Sequence, residues 1–190
     1  MKILNLHGLN CSCNNTAYRF LNEYYKYTKS VEIISPQLDY AANSPYSILD
    51  EIRIQCSDPD IVVGTSFGGF FAYIVGATLG CKTVLINPCI PPHRYIPKLV
   101  SDYKYTDILE LIWDKYSQIS LDYNMILGNN DTVLDIQTTL NNLCTPVENY
   151  TIISGGHSLN GEEYETWFKE ILRWKFIDCI MTMLSMHHIS

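Results

Sequence analysis

Gly64-Thr65-Ser66-Phe67-Gly68 sets a serine between two glycines, directly after the apolar run 61–63 and directly before a stretch of helical period over 67–79. A hydroxyl held at a sharp strand-to-helix turn stands clear of the backbone. The helix that follows aims its N-terminal N–H groups and positive dipole end at the point where an attacked carbonyl gathers negative charge. The chemistry that suits this arrangement is acyl transfer through a covalent serine intermediate. The turn lacks the Gly-Lys-Ser/Thr ending of a phosphate loop and the G-x-G-x-x-G spacing of a dinucleotide site, which excludes both as its purpose.

A serine hydroxyl is a weak nucleophile near neutral pH and needs a base. The histidines are His7, His93, His157, His187 and His188. His157 is the candidate, because it follows the last apolar run in Ser154-Gly155-Gly156-His157 and completes the chain order Ser, acid, His. His187 and His188 sit at the end of the chain, where solvated histidines are ordinary. His93 lies in a proline-rich segment, with a surface position and a contact to substrate both open. The expected acid is Asp131, in Gly128-Asn129-Asn130-Asp131 just beyond the run 123–127. There it would hold the imidazole tautomer and stabilise the imidazolium. Two alternatives stand beside this: Asp131 as the cap of the next helix, and Asp135 as the acid if the loop runs longer. The oxyanion needs two backbone donors, Phe67 N–H and, from the loop His7-Gly8-Leu9-Asn10, Leu9 N–H. His7 itself is expected to be structural, with a second base as its alternative.

These residues need strands that end at one edge. Apolar runs at 2–6, 31–35, 61–63, 83–86, 123–127 and 149–153 read as buried strands. Helix candidates lie between and after them at 16–27, 46–56, 67–79, 133–143 and 164–183. That alternation is the pattern of an α/β protein with a mostly parallel sheet of about six strands flanked by helices. The interval 91–120 breaks the rhythm with Pro91, Pro92 and Pro97, several aromatics and a helical stretch over 107–116. Prolines near its start disfavour a continuous helix there. We read it as a small lid-like insertion in a single domain spanning 1–190. Tyr95, Tyr103, Tyr105 and Trp113 either present apolar faces to a substrate or pack the excursion onto the core.

Composition fits this reading. The 190 residues are 47% hydrophobic and 17% charged, enough to bury one substantial core. A net charge of -7 without any basic cluster argues against nucleic acid as a partner. The N-terminal run is too short and polar for a signal peptide, and 177–186 is too short to span a membrane. Seven cysteines without framework spacing suit reduced thiols in a cytoplasm, and the Cys11-x-Cys13 pair lacks the further ligands a zinc site needs. A folded monomer is the starting point, with the oligomeric state left open.

With His7-Gly8, the Gly64 to Gly68 turn, Asn87-Pro88, Asp131 after Gly128 and His157 after Gly155-Gly156, the chain resembles the small YqiA-like esterases of the α/β-hydrolase superfamily over nearly its full length. The start at Leu4 to Leu9 is similar to that family's truncated first strand. Similar proteins often carry an extra residue between the paired glycines and the histidine, whereas here Gly156 abuts His157. The resemblance implies an α/β-hydrolase fold and cleavage of small-molecule carboxylic esters, short acyl chains favoured, with no metal and no organic cofactor. A thioesterase using the same three residues, or a catalytically silent interaction protein on the same fold, are the alternatives.

Overall fold

The computed structural model describes residues 1–143 and 149–172. Six strands form one sheet: β1 (Lys2–Leu6), β2 (Glu32–Ile34), β3 (Ile61–Thr65), β4 (Lys82–Ile86), β5 (Tyr123–Gly128) and β6 (Tyr150–Ile153). Their order is β2-β1-β3-β4-β5-β6, and every neighbouring pair is parallel. The helices are α1 (Thr16–Tyr25), α2 (Pro45–Gln55), α3 (Phe67–Leu79), α4 (Pro92–Leu99), α5 (Thr106–Tyr116), α6 (Ile136–Leu143) and α7 over 162–172.

Strand side chains alternate between two cores, as the period of two requires. Leu4, Leu6, Val62, Leu85, Met125 and Leu127 face one layer, which holds Ile48 and Ile52 of α2, the buried stretch of α3, and Ile96, Leu109 and Ile112 of α4 and α5. Ile3, Ile61, Val63, Val84, Ile86 and Ile126 face the other, against Ala17 and Leu21 of α1 and Tyr164 and Phe168 of α7. Helices on both faces explain why the strands read as continuous apolar runs. The chain leaves β1 toward β2 but leaves β3 toward β4, so the strand order reverses between β1 and β3. In open α/β sheets a crevice opens at such a reversal, outside the carboxyl ends of the strands.

Two sequence expectations change. The prolines of the insertion do not prevent a helix: α4 runs through Pro92 and Pro97. Pro92 occupies the first turn, where no intrahelical N–H bond is lost, and the helix ends two residues after Pro97. The insertion therefore consists of two helices, not one. The helix expected from 133 begins instead at Ile136. Asp135 starts it, accepting hydrogen bonds on Oδ2 from Thr138 N–H at 2.8 Å and from the Thr138 hydroxyl at 2.5 Å. The expected extension of the last helix to 183, together with His187 and His188, lies outside the described residues.

Candidate active site

Ser66 follows β3 and occupies the N-cap position of α3 with φ 54° and ψ -121°, a backbone conformation costly for a non-glycine residue and characteristic of functional turns. The turn is held by backbone bonds: Ser66 N–H donates to Ile86 O at 2.9 Å, and Ser66 O accepts from Gly69 N–H and Cys89 N–H, both at 2.9 Å. It is also crowded. A Cβ at Gly64 would lie 2.4 Å from Gly68 O, and one at Gly68 would lie 2.3 Å from His7 O. Only glycine allows α3 to start this close to β3 and to the loop after β1.

His157 reaches this turn from the loop after β6. Its Nε2 lies 2.8 Å from Ser66 Oγ, and its Nδ1 lies 2.8 Å from Asp131 Oδ2. The carboxylate can only accept, so Nδ1 carries the proton and Nε2 is left to accept from the serine hydroxyl. The missing spacer between Gly156 and His157 does not keep the ring from Ser66. The side chain of His157 is 24% exposed and that of Asp131 only 2%. Burial pushes the Asp131 carboxyl up. The hydrogen bond from His157, those from Leu134 and Val133 N–H, and the charge of His157 outweigh it and hold the carboxyl below its ordinary value.

Asp131 does not cap the next helix, because α6 begins only at Ile136 and Asp135 takes that place. Oδ2 meets His157, while Oδ1 accepts from Val133 N–H at 2.8 Å and Leu134 N–H at 3.0 Å. The carboxylate thus shapes its own loop with one oxygen and orients the imidazole with the other. Asp135, the fallback acid, is engaged as the helix cap.

The loop after β1 packs against the serine: a Cβ at Gly8 would stand 3.1 Å from Ser66 Cβ. This brings the Leu9 segment beside the Phe67 end of α3, where both backbone donors are expected. His7 is buried, with Nδ1 2.8 Å from Gly8 O and Nε2 accepting from Leu38 N–H at 3.0 Å. Burial pushes its pKa down, and both nitrogens are committed to backbone groups. That is the structural role, and it leaves no nitrogen free to act as a second base.

In the insertion, Trp113 is buried and packs on Tyr73 of α3 with ring centroids 5.7 Å apart. Tyr105 OH donates to Ala42 O at 3.4 Å, and Tyr95 OH accepts from Asp135 N–H at 3.4 Å. Trp113 therefore packs the excursion onto the core, and Tyr105 and Tyr95 tie it to the loops after β2 and β5. His93 in α4 stands 4.0 Å from Glu110 of α5. Among the described residues, no three His, Cys, Asp or Glu side chains are grouped to hold a metal ion, and no helix is long and apolar enough to cross a membrane.

One residue noticed in the sequence only as half of an Asn-Pro pair takes part in this geometry. Asn87, 2% exposed at the end of β4, accepts on Oδ1 from Gly128 N–H at 2.8 Å. Its Nδ2 donates to Gly156 O at 3.0 Å and His157 O at 2.8 Å. The available signal was a polar residue closing an otherwise buried strand, since such a group must find partners.

The sheet order and the strained serine turn at the β1/β3 reversal define an α/β-hydrolase fold. Solved structures agree. Alpha/beta hydrolase domain-containing protein 10 from mouse superposes with a TM-score of 0.69 at 15% identity, covering 94% of this chain and 90% of that one. The esterase domain of a Rhodothermus marinus protein gives a TM-score of 0.61 at 16% identity, covering 90% and 84%. The chain belongs to the UPF0227 family, described as an uncharacterised protein family, whose model matches residues 2–174. A UPF0227 protein of Shewanella woodyi is 25% identical over 147 residues, 74% of this chain and 82% of that protein.

Proposed function

We propose that this protein is a serine esterase that cleaves small carboxylic esters, with Ser66 as nucleophile, His157 as general base and Asp131 as the acid that orients it. The observation that carries this reading is the continuous chain of two 2.8 Å contacts from Ser66 Oγ through His157 to Asp131. It is supported by the esterase domain among the structural neighbours and by the resemblance to YqiA-like esterases. Ser66 Oγ attacks the ester carbonyl as Nε2 takes its proton, and a tetrahedral oxyanion forms under the N–H groups of Phe67 and Leu9. Collapse expels the alcohol, which receives the proton from His157. Water, deprotonated by the same nitrogen, then releases the acid and restores Ser66. Asp131 stays ionised throughout.

The bond cut distinguishes an oxyester from a thioester, and short acyl oxyesters are the proposed substrates. The test is turnover of p-nitrophenyl acetate and butyrate against matched thioesters, by wild type and by Ser66→Ala. The expected result is oxyester hydrolysis that Ser66→Ala abolishes without loss of cooperative unfolding. Unchanged hydrolysis in that variant would reject the assignment.

A further inference from the structure

We infer that Asn87 is a positioning residue for the base: a buried carboxamide that locks the His157 loop onto the strand end carrying the acid, and so sets Nε2 on the Ser66 hydroxyl. This rests on the proposed roles of Ser66, His157 and Asp131.

The side chain spends both amide protons and one lone pair of its oxygen between two loops. Oδ1 accepts from Gly128 N–H, at the start of the Asp131 loop, and the two Nδ2 protons go to the carbonyls of Gly156 and of His157 itself. No other side chain of this size offers one acceptor and two donors in that fork. Aspartate would set a carboxylate against two carbonyl oxygens, and serine could donate only once. The backbone of Asn87 has φ 39°, in the left-handed region that asparagine tolerates better than most residues.

Its place in the chain ties the base to the nucleophile. Ile86 O accepts from Ser66 N–H and Cys89 N–H donates to Ser66 O, so the residues flanking Asn87 hold the serine while Asn87 holds the histidine. The run 86–89 therefore holds the backbones that carry both reacting side chains from one strand end. The need is physical: His157 follows Gly155 and Gly156, a pair with wide backbone freedom. A displacement of about 1 Å from productive geometry lowers a rate by roughly 100-fold.

The experiment compares Asn87→Asp with wild type on p-nitrophenyl acetate, alone and in a His157→Ala background. Aspartate keeps the shape and the Gly128 contact but loses both donations to the histidine loop. The expected result is a fall in kcat of roughly 100-fold with KM within about twofold. In His157→Ala, the same substitution should leave the residual rate unchanged, because its effect runs through the imidazole. A residue that only held the fold together would lower both backgrounds alike. Asn87→Ser, which retains one donor, should lose about tenfold and serves if the aspartate variant does not fold. Wild-type kcat in a folded Asn87 variant, or equal losses in both backgrounds, would overturn the inference alone. Absence of ester turnover in wild type would instead overturn the esterase reading and this inference with it.

Discussion

His7 and His157 each follow a parallel strand at the same edge of the sheet, each beside glycine, and each uses both ring nitrogens. Their partners differ. Around His7 the short contacts are to backbone groups, Gly8 O and Leu38 N–H, with the Gln37 carboxamide nitrogen a longer 3.4 Å from Nε2, in a site only 1% exposed. Around His157 they are side chains, an acceptor-only carboxylate on Nδ1 and a hydroxyl on Nε2, and the ring remains partly open to solvent. A histidine satisfied by backbone fastens a loop, because moving its proton would break buried bonds on both sides. A histidine between a carboxylate and a hydroxyl can accept a proton and be stabilised for doing so. The residue type is the same, and on the proposed reading the partners decide whether it is structure or chemistry.

The comparison can be broken from either side. His157→Ala should lower kcat by roughly 10⁴-fold to 10⁶-fold while the melting temperature changes little, which steady-state kinetics and a thermal melt together check. Asp131→Asn, which reverses the tautomer without emptying the site, should lower kcat by about 10⁴-fold with KM nearly constant. His7→Ala should do the opposite. It leaves Gly8 O and Leu38 N–H without their partner and should destabilise the fold by about 2–4 kcal/mol in denaturant titration. The folded fraction of this variant should keep far more activity than either change in the His157 pair.

The smallest effect is on stability against pH, and it separates the two loops by window. The folded-state pKa of His7 is below its ordinary 6.5, so the unfolded chain binds the proton first. Stability from the neutral ring is full above pH 6.5 and is lost as pH falls through the lowered folded value. Asp131 is held below 3.8, so its contribution is full above that pH and is lost only as pH falls through its folded value. His7→Gln should flatten the first decline and Asp131→Asn the second. A single common decline, unchanged by either substitution, would break the distinction.

Much of this was legible in the sequence, for reasons that differ by element. The strands β1, β4 and β5 fell where apolar runs placed them to within a residue, because burial on both faces leaves little room for polar side chains. Ser66 was legible because a strained turn flanked by a strand and a helix demands glycines at fixed positions. That His157 and Asp131 would lie together beside Ser66 followed from chain order. The interval 91–99 was not legible: prolines signal a break, and whether a helix can begin at one depends on which turn it occupies. The double use of Asp131 and the bridging by Asn87 were hidden for another reason. Both join segments distant in sequence, Asn87 to His157 across 70 residues, and neither pattern nor propensity encodes a hydrogen bond between two loops.

The most direct test of the central claim is labelling with a fluorophosphonate, followed by peptide mapping of the modified site. The account expects a covalent adduct on Ser66 in wild type, strongly diminished labelling in folded His157→Ala, and none in Ser66→Ala. A folded wild-type protein that is not labelled, or an adduct on any other residue, would contradict it.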